Sequence, residues 1–347
     1  MRKDADWRPI QASERFTVLD FIRGVALFGV LIVNLLYFFR ISLFAHIVEP
    51  KQDRDWIDLF VSRFIEFKAF ALFSFVFGIS VAVQTERARA RGVNPEKFLA
   101  RRFLILLLFG AIHLVFISNV DILTLYAVCG MLLIPFLRLP APALGIAGFA
   151  LLWVPWSIYR GEAIPAEAVM RAHAIDATRV YGHGTFAAIL AFRWDETKNL
   201  IAPLLFAVAQ RTFGLMLLGM AVWRFGVVRA LPGSPRAARF TAPFAAAGQM
   251  ALTNYLTQSL VFSTLFYGYG LGLFGRLDTG AATALGVTFY GLQLWFSMWW
   301  LSRYRFGPFE WLWRSLTYGR MQPMGLQSGS RIQTSRRFRY FSAKSRP

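Results

Sequence analysis

Thr17-Val-Leu-Asp20-Phe-Ile-Arg23-Gly24-Val-Ala-Leu-Phe-Gly29-Val-Leu-Ile-Val-Asn34 is the stretch that decides the fold. It is greasy enough for a bilayer-spanning helix, yet it carries Asp20, Arg23 and Asn34. A charged side chain in such a helix costs roughly 3 kcal/mol or more, so it faces a bundle interior or a watery cavity. On a helix Asp20 lies one turn before Arg23. Arg23 and Asn34 fall within roughly 20° of the same face and about 16 Å apart along the axis. The spacing predicts one polar stripe through a lipid-length segment. The same residues also fit a structural reading, a helix-end ion pair plus an Asn bonded to a neighbouring helix.

Composition carries this reading to the whole chain. Hydrophobic residues make up 56% and charged residues only 16% of 347. With a mean hydropathy of +0.46, that lies outside ordinary globular usage. The 35 Phe and 11 Trp suit lipid-packed helices with interfacial aromatic belts. The single cysteine, Cys129, excludes an intrachain disulfide and a cysteine metal cluster. No Gly-rich phosphate loop follows a strand pattern, and no alternating run suggests a barrel. The fold class is all-α, a polytopic membrane helical bundle.

Lipid-length apolar stretches fall at about 17–38, 67–84, 103–117, 121–137, 142–159, 201–223, 243–266 and 281–301, which predicts about eight transmembrane helices. Most of the 38 Lys and Arg lie on one side if both termini are cytoplasmic. They cluster against helix ends at 2–23, 87–102, 224–239 and from Arg303 onward, as the positive-inside rule requires. The division read from this is a cytoplasmic N-terminus at 1–16, an N-terminal membrane bundle at 17–240, a C-terminal membrane domain at 241–324, and a basic, disordered tail at 325–347. Helix one is expected to be an uncleaved signal anchor. The net charge of +19 lies beside membrane helices, so anionic lipid headgroups are its expected partner rather than nucleic acid. The outer loop from Arg160 to Leu200, with His173, His183, Glu167, Asp195 and Glu196, is long enough to lid a cavity.

A second unusual place is the hairpin of helices three and four, which carries His113 and Asp121. A neutral imidazole in the bilayer is a candidate general base or proton-relay member, with Asp121 to orient it. The two are eight residues apart, about 12 Å on one continuous helix, so contact requires the turn to fold back. Otherwise His113 bonds a backbone carbonyl and Asp121 caps helix four. His46, in the first outer loop, is a weaker candidate over the cavity mouth. No histidine has metal-ligand spacing with a second strong ligand, so no metal is expected. Toward the C-terminus, Thr253, Asn254 and Thr257 are small polar groups of the kind that glue helices together. Arg305-Phe-Gly-Pro-Phe-Glu310-Trp-Leu-Trp313-Arg314 reads as an interfacial amphipathic segment.

Taken together, Leu19-Asp20-Phe-Ile-Arg23-Gly24 with Asn34, Leu72-Phe-Ser-Phe-Val-Phe-Gly78, His113 with Asp121-Ile-Leu123 and Tyr126, Met250-Ala-Leu-Thr-Asn-Tyr-Leu256 and the Gly307-to-Arg314 segment resemble a family. It is the YeiB-like bacterial inner-membrane family, whose C-terminal part is catalogued as domain of unknown function 418. The resemblance runs from about Arg15 to Thr317. That family is similar to a wider group of transmembrane acyltransferases, in which an Asn late in the first helix and a His just beyond it are implicated. Asn34 matches the Asn. His46 stands at a similar offset but in no clear motif. Gln249 replaces a usual Arg, and only about twenty residues separate Arg229 from Gly248 where relatives usually place two more helices.

The resemblance implies a protein of the bacterial cytoplasmic (inner) membrane. It moves an acyl group from cytoplasmic acyl-CoA, the expected donor substrate, to an envelope glycan or lipid-linked acceptor, with no permanently bound cofactor. His113, Asn34 and Asp121, with His46 weaker, are the candidate catalytic residues. Asp20 and Arg23 are the candidate substrate-binding residues. A transporter or exporter of a small or lipid-linked solute, and a structural or regulatory membrane protein, remain alternatives.

Overall fold

In lipid each backbone N–H and C=O must be satisfied within its own segment, which favours helices, and helices make up most of the described residues. The computed structural model describes residues 17–48, 55–118, 121–154, 165–197, 202–230 and 235–325. The N-terminal segment 1–16 and the basic tail from 326 lie outside the described residues. Helices α1 (Thr17–Asn34), α2 (Leu43–Val48), α3 (Trp56–Phe64), α4 (Glu66–Ala90), α5 (Pro95–Phe116), α6 (Ile122–Leu133) and α7 (Ala141–Trp153) form the first part. Helices α8 (Glu167–His183), α9 (Phe186–Glu196), α10 (Ala202–Arg224), α11 (Pro235–Gln249), α12 (Ala251–Phe266), α13 (Thr279–Leu301) and α14 (Pro308–Tyr318) form the second.

Among the described residues three helical runs, Thr17–Phe39, Trp56–Ala90 and Pro95–Phe116, are long and apolar enough to cross a membrane. The rim of the bundle is greasy: Leu104, Leu108, Ile112 and Phe116 of α5 all point outward and exposed, a continuous apolar strip at helical spacing that lipid would cover.

Local chemistry sets the helix ends. Asn94 accepts from the Lys97 N–H at 2.9 Å with Pro95 at the first helical position, so α5 starts about two turns earlier than its apolar run. That places Arg101 and Arg102 inside the helix. Gly92, at φ 69°, makes the tight left-handed turn from α4 into this cap. The expected outer loop instead contains two helices, α8 and α9, the second capped by Thr185. The single helix expected at 243–266 is broken at Met250, between α11 and α12.

Helix α1 lies at the centre, packed on α4 and α11. Its crossing with α11 is backbone on backbone. A Cβ added at Gly248 would stand 1.9 Å from the Asp20 carbonyl oxygen, and one at Gly24 would stand 2.0 Å from that of Phe244. Gly248→Ala is therefore expected to destabilise the protein by about 1–3 kcal/mol through overpacking. The check is a melting curve of the detergent-purified chain, and an unchanged midpoint would contradict so tight a crossing.

Candidate functional site

Because Gly92 reverses the chain, the arginine-bearing end of α4 and the start of α5 lie at the same end of the bundle as Asp20 and Arg23. There a cavity of about 260 Å³ opens between α1, α4, α5, the start of α6, the α11–α12 junction and α14. One part of its wall is apolar and aromatic, with Phe73, Phe77, Phe103 and Tyr126. The other part is cationic, with Arg23, Arg87, Arg91, Arg102, Arg305 and Arg314 against the carboxylates of Asp20 and Glu310.

Of these arginines, Arg23 is held by polar partners, and Arg102 and Arg314 by aromatic rings. Arg23 donates to Asp20 Oδ1 at 2.6 Å and to Ser80 Oγ at 2.5 Å. Arg102 lies flat on Trp313, its Cζ 3.6 Å from the ring centroid, while the Trp313 indole N–H donates to the Arg102 carbonyl at 3.0 Å. Arg314 lies over Phe306 at 4.6 Å. Among the described residues neither Arg102 nor Arg314 has a carboxylate in ion-pair range; aromatic faces hold them and leave their N–H edges available. Arg102 and Arg314 repel one another, and Arg23 repels both. Burial, with Arg23 adding to it, holds the Arg314 guanidinium below its ordinary range against the pull of Tyr318, Glu310 and Asp20. Like charges gathered this way create a strong local demand for an anion.

Glu310 fixes the floor of the charged part. The break at Met250 frees the first N–H groups of α12, which a helix start always leaves unpaired. Glu310 Oε1 accepts from the Leu252 N–H at 2.6 Å and the Thr253 N–H at 3.0 Å, and Oε2 accepts from the Thr253 hydroxyl at 2.6 Å. Burial pushes this carboxyl above the usual carboxylate range, opposed by those same hydrogen bonds. Thr253 thus joins α12 to α14. Asn254 joins α12 to α13 through Ser297 at 3.0 Å.

Behind the aromatic part lies the pair from the hairpin. The turn does fold back: His113 Nδ1 is 3.0 Å from Asp121 Oδ1, and both side chains are fully buried. The contact has the length of a hydrogen bond without its full alignment. Gly110 makes the approach possible, since a Cβ there would stand 2.5 Å from the Thr124 nitrogen and 2.9 Å from Asp121 Oδ2. Asp121 also caps α6, accepting from Leu123 N–H at 3.1 Å and Thr124 N–H at 2.6 Å. A carboxylate on Nδ1 favours the tautomer with its proton there, which leaves Nε2 as a base. Nε2 has no hydrogen-bond partner among the described residues. Neither His113 nor Asp121 lines the cavity. Tyr255 and Ile122 do, and the Tyr255 ring lies 5.1 Å from the His113 ring.

The other candidates are placed apart. Asp20 and Arg23 line the cavity, whereas Asn34, at the other end of α1, is half-buried and does not. The polar stripe of helix one is therefore divided between two environments. His46 is buried on α2, stacked on Tyr37 at 3.8 Å, with Nδ1 3.9 Å from Asp58 Oδ1. Among the described residues no three His, Cys, Asp or Glu gather as a metal site. Sequence reasoning missed Arg102, Arg314 and Glu310 as site residues. Their one signal was a Trp-Arg pair and an acid in an otherwise interfacial segment.

Comparison with known proteins places this geometry in a lineage. The model of the family described as "Protein of unknown function (DUF418)" matches residues 169–320. The chain is 30% identical to the uncharacterized protein YxaH of Bacillus subtilis, over 91% of this chain and 98% of that one. It is 30% identical to an uncharacterized 39.9 kDa protein from the amylase 3' region of Bacillus acidopullulyticus, over 92% and 98%. It is 27% identical to the uncharacterized protein YeiB of Escherichia coli, over 88% and 96%. The match to YxaH extends over 392 positions, more than the 347 residues present here, so that relative carries segments with no counterpart in this chain. No solved structure matches.

Proposed function

We propose, from the premise that the chain belongs to the DUF418 family, that it is an acyltransferase of the bacterial cytoplasmic membrane using acyl-CoA from the cytoplasm. The carrying observation is the cavity itself: mutually repelling arginines at one end, aromatic side chains at the other, and a buried His–Asp pair directly behind. An eight-span topology with both termini inside puts the arginines at the cytoplasmic face. There they meet the phosphates of coenzyme A, and guanidinium N–H edges are suited to phosphate oxygens. The acyl chain and thioester lie among Phe73, Phe77 and Tyr126.

The acceptor hydroxyl lies in the cavity beside Tyr255, whose ring packs on His113, and reaches the imidazole when that ring turns aside. His113 Nε2 takes its proton as the oxygen attacks the thioester carbonyl. The C–O bond forms, the C–S bond breaks, and the proton passes to the leaving thiolate to give free CoA. Asp121 orients His113 and stabilises its charged form.

Binding tests this first. Calorimetry of the detergent-purified full chain with CoA and acetyl-CoA is expected to show saturable heat. Arg102→Gln and Arg314→Gln should each weaken binding tenfold or more, since a charge-assisted hydrogen bond contributes about 1.5–3 kcal/mol. Phosphatidylglycerol vesicles competing as well as CoA would instead assign the cavity to lipid. Proton-coupled solute flux in proteoliposomes, lost in His113→Ala, would assign it to transport.

A further inference from the structure

Tyr255 stands between the cavity and the buried His113–Asp121 pair. It lines the cavity from α12 and is 2% exposed. Its ring centroid lies 5.1 Å from that of His113, and the His113 and Asp121 side chains behind it are wholly buried. Ile122 and Leu123, the two residues that follow Asp121, also line the cavity, so the groups that separate it from the pair are apolar or aromatic. The ring is tethered through its hydroxyl. That oxygen accepts from the Ile122 N–H at 3.5 Å, beyond the usual range of about 2.7–3.2 Å. It also hydrogen-bonds Ser259, one turn further along α12.

A histidine base that faced an open cavity would meet water before any acceptor. With an acyl thioester alongside, the base then takes its proton from water. The water oxygen attacks the carbonyl, the C–O bond forms, the C–S bond breaks, and the proton passes to the thiolate. The products are the free carboxylic acid and the free thiol, and the acyl group is lost. A transferase therefore has to keep water from its base until the acceptor is seated. An aromatic face laid on the imidazole does this, because a water held there would need polar partners that a ring does not offer.

We infer that Tyr255 is a shutter that makes the site selective for its acceptor over water. The consequence for the reaction rests on the acyltransferase reading; the seal itself rests on the packing alone. Turning the ring aside breaks a long hydrogen bond and uncovers apolar surface. A lone water is too small to replace the contacts that are lost. An acceptor with an extended surface fills the place the ring leaves and uses part of its binding energy for the movement. Tyr255 takes no proton in this scheme. It is a positioning residue that decides which nucleophile reaches His113, in the manner of a small lid.

Diethyl pyrocarbonate, which modifies accessible imidazoles, tests the seal on the detergent-purified full chain, with each histidine read by mass spectrometry. His183 is exposed and serves as the internal standard. In wild type and Tyr255→Phe, His113 should react about a hundredfold more slowly than His183, because modification tracks the population of the open form. In Tyr255→Ala it should react about tenfold faster than in wild type, since the vacated space admits reagent and water. Should Tyr255→Ala fail to fold, Tyr255→Leu, which keeps apolar bulk without the flat face, should still react about threefold faster than wild type. Acetyl-CoA without acceptor, followed by release of thiol, tests the consequence. Hydrolysis should rise about tenfold in Tyr255→Ala, and adding His113→Ala should abolish the rise. The shutter is overturned if His113 reacts as fast as His183 in wild type, or equally in Tyr255→Ala and Tyr255→Phe. It is also overturned if hydrolysis is unchanged in a Tyr255→Ala chain that binds coenzyme A. The expected modification pattern in a chain that binds no coenzyme A upholds the seal and overturns the acyltransferase reading instead.

Discussion

On the proposed acyltransferase reading, Asp121→Asn is expected to lower acyl transfer by about 10³–10⁴-fold while coenzyme A affinity stays within about twofold. The substitution separates the two tasks of this residue. Asn caps a helix about as well as Asp, and its one acceptor oxygen keeps one of the two bonds from Leu123 and Thr124 N–H. What is lost is the negative charge 3.0 Å from His113 Nδ1, which selects the tautomer and supports the imidazolium as it forms. On the same reading His113→Ala removes the proposed base and should lower the rate by about 10²–10⁴-fold. The double variant should be no slower than the slower single one, because groups that act as a unit are not additive. Single-turnover transfer from labelled acetyl-CoA reads all three. An unchanged rate in Asp121→Asn would reduce the residue to a helix cap.

Glu310→Ala gives the largest expected loss of stability, about 3 kcal/mol or more. It strands the Leu252 and Thr253 N–H groups and the Thr253 hydroxyl in a buried place, and each unpaired group costs about 1–3 kcal/mol. Glu310→Gln keeps an acceptor oxygen and should recover most of this. The pH dependence follows from the direction of the shift. Burial raises the folded-state pKa of Glu310 above its unfolded value, so the folded chain holds the proton more tightly. Stability from this group is complete below the ordinary glutamate range and falls as pH rises through the folded pKa. Glu310→Gln should flatten that part of the melting-temperature profile. A profile equally steep in both proteins would show that another group causes it.

The membrane-length helices at α1, α4 and α5 were legible because lipid demands contiguous apolar residues, a signal that needs no tertiary knowledge. The division of helix one between a cavity end and an Asn34 end was not, since helical spacing gives the face but not the neighbour. The approach of His113 to Asp121 depends on Gly110 admitting the start of α6, a packing fact with only one small residue to announce it. Arg102 and Arg314 were hidden for a chemical reason: Trp and Arg together mark a headgroup-level helix and a cation held on an aromatic face equally well. Glu310 needed the break at Met250, which interrupts an unbroken apolar pattern. Helices α8 and α9 were read as loop because their polar sequences lack a long apolar run.

Label transfer tests the central claim most directly. Purified full chain is incubated with radiolabelled acetyl-CoA and a glycan and lipid fraction extracted from bacterial envelope. Label should pass to an envelope component in the wild type and should be lost with His113→Ala. No transfer, together with no heat of coenzyme A binding, would contradict the account.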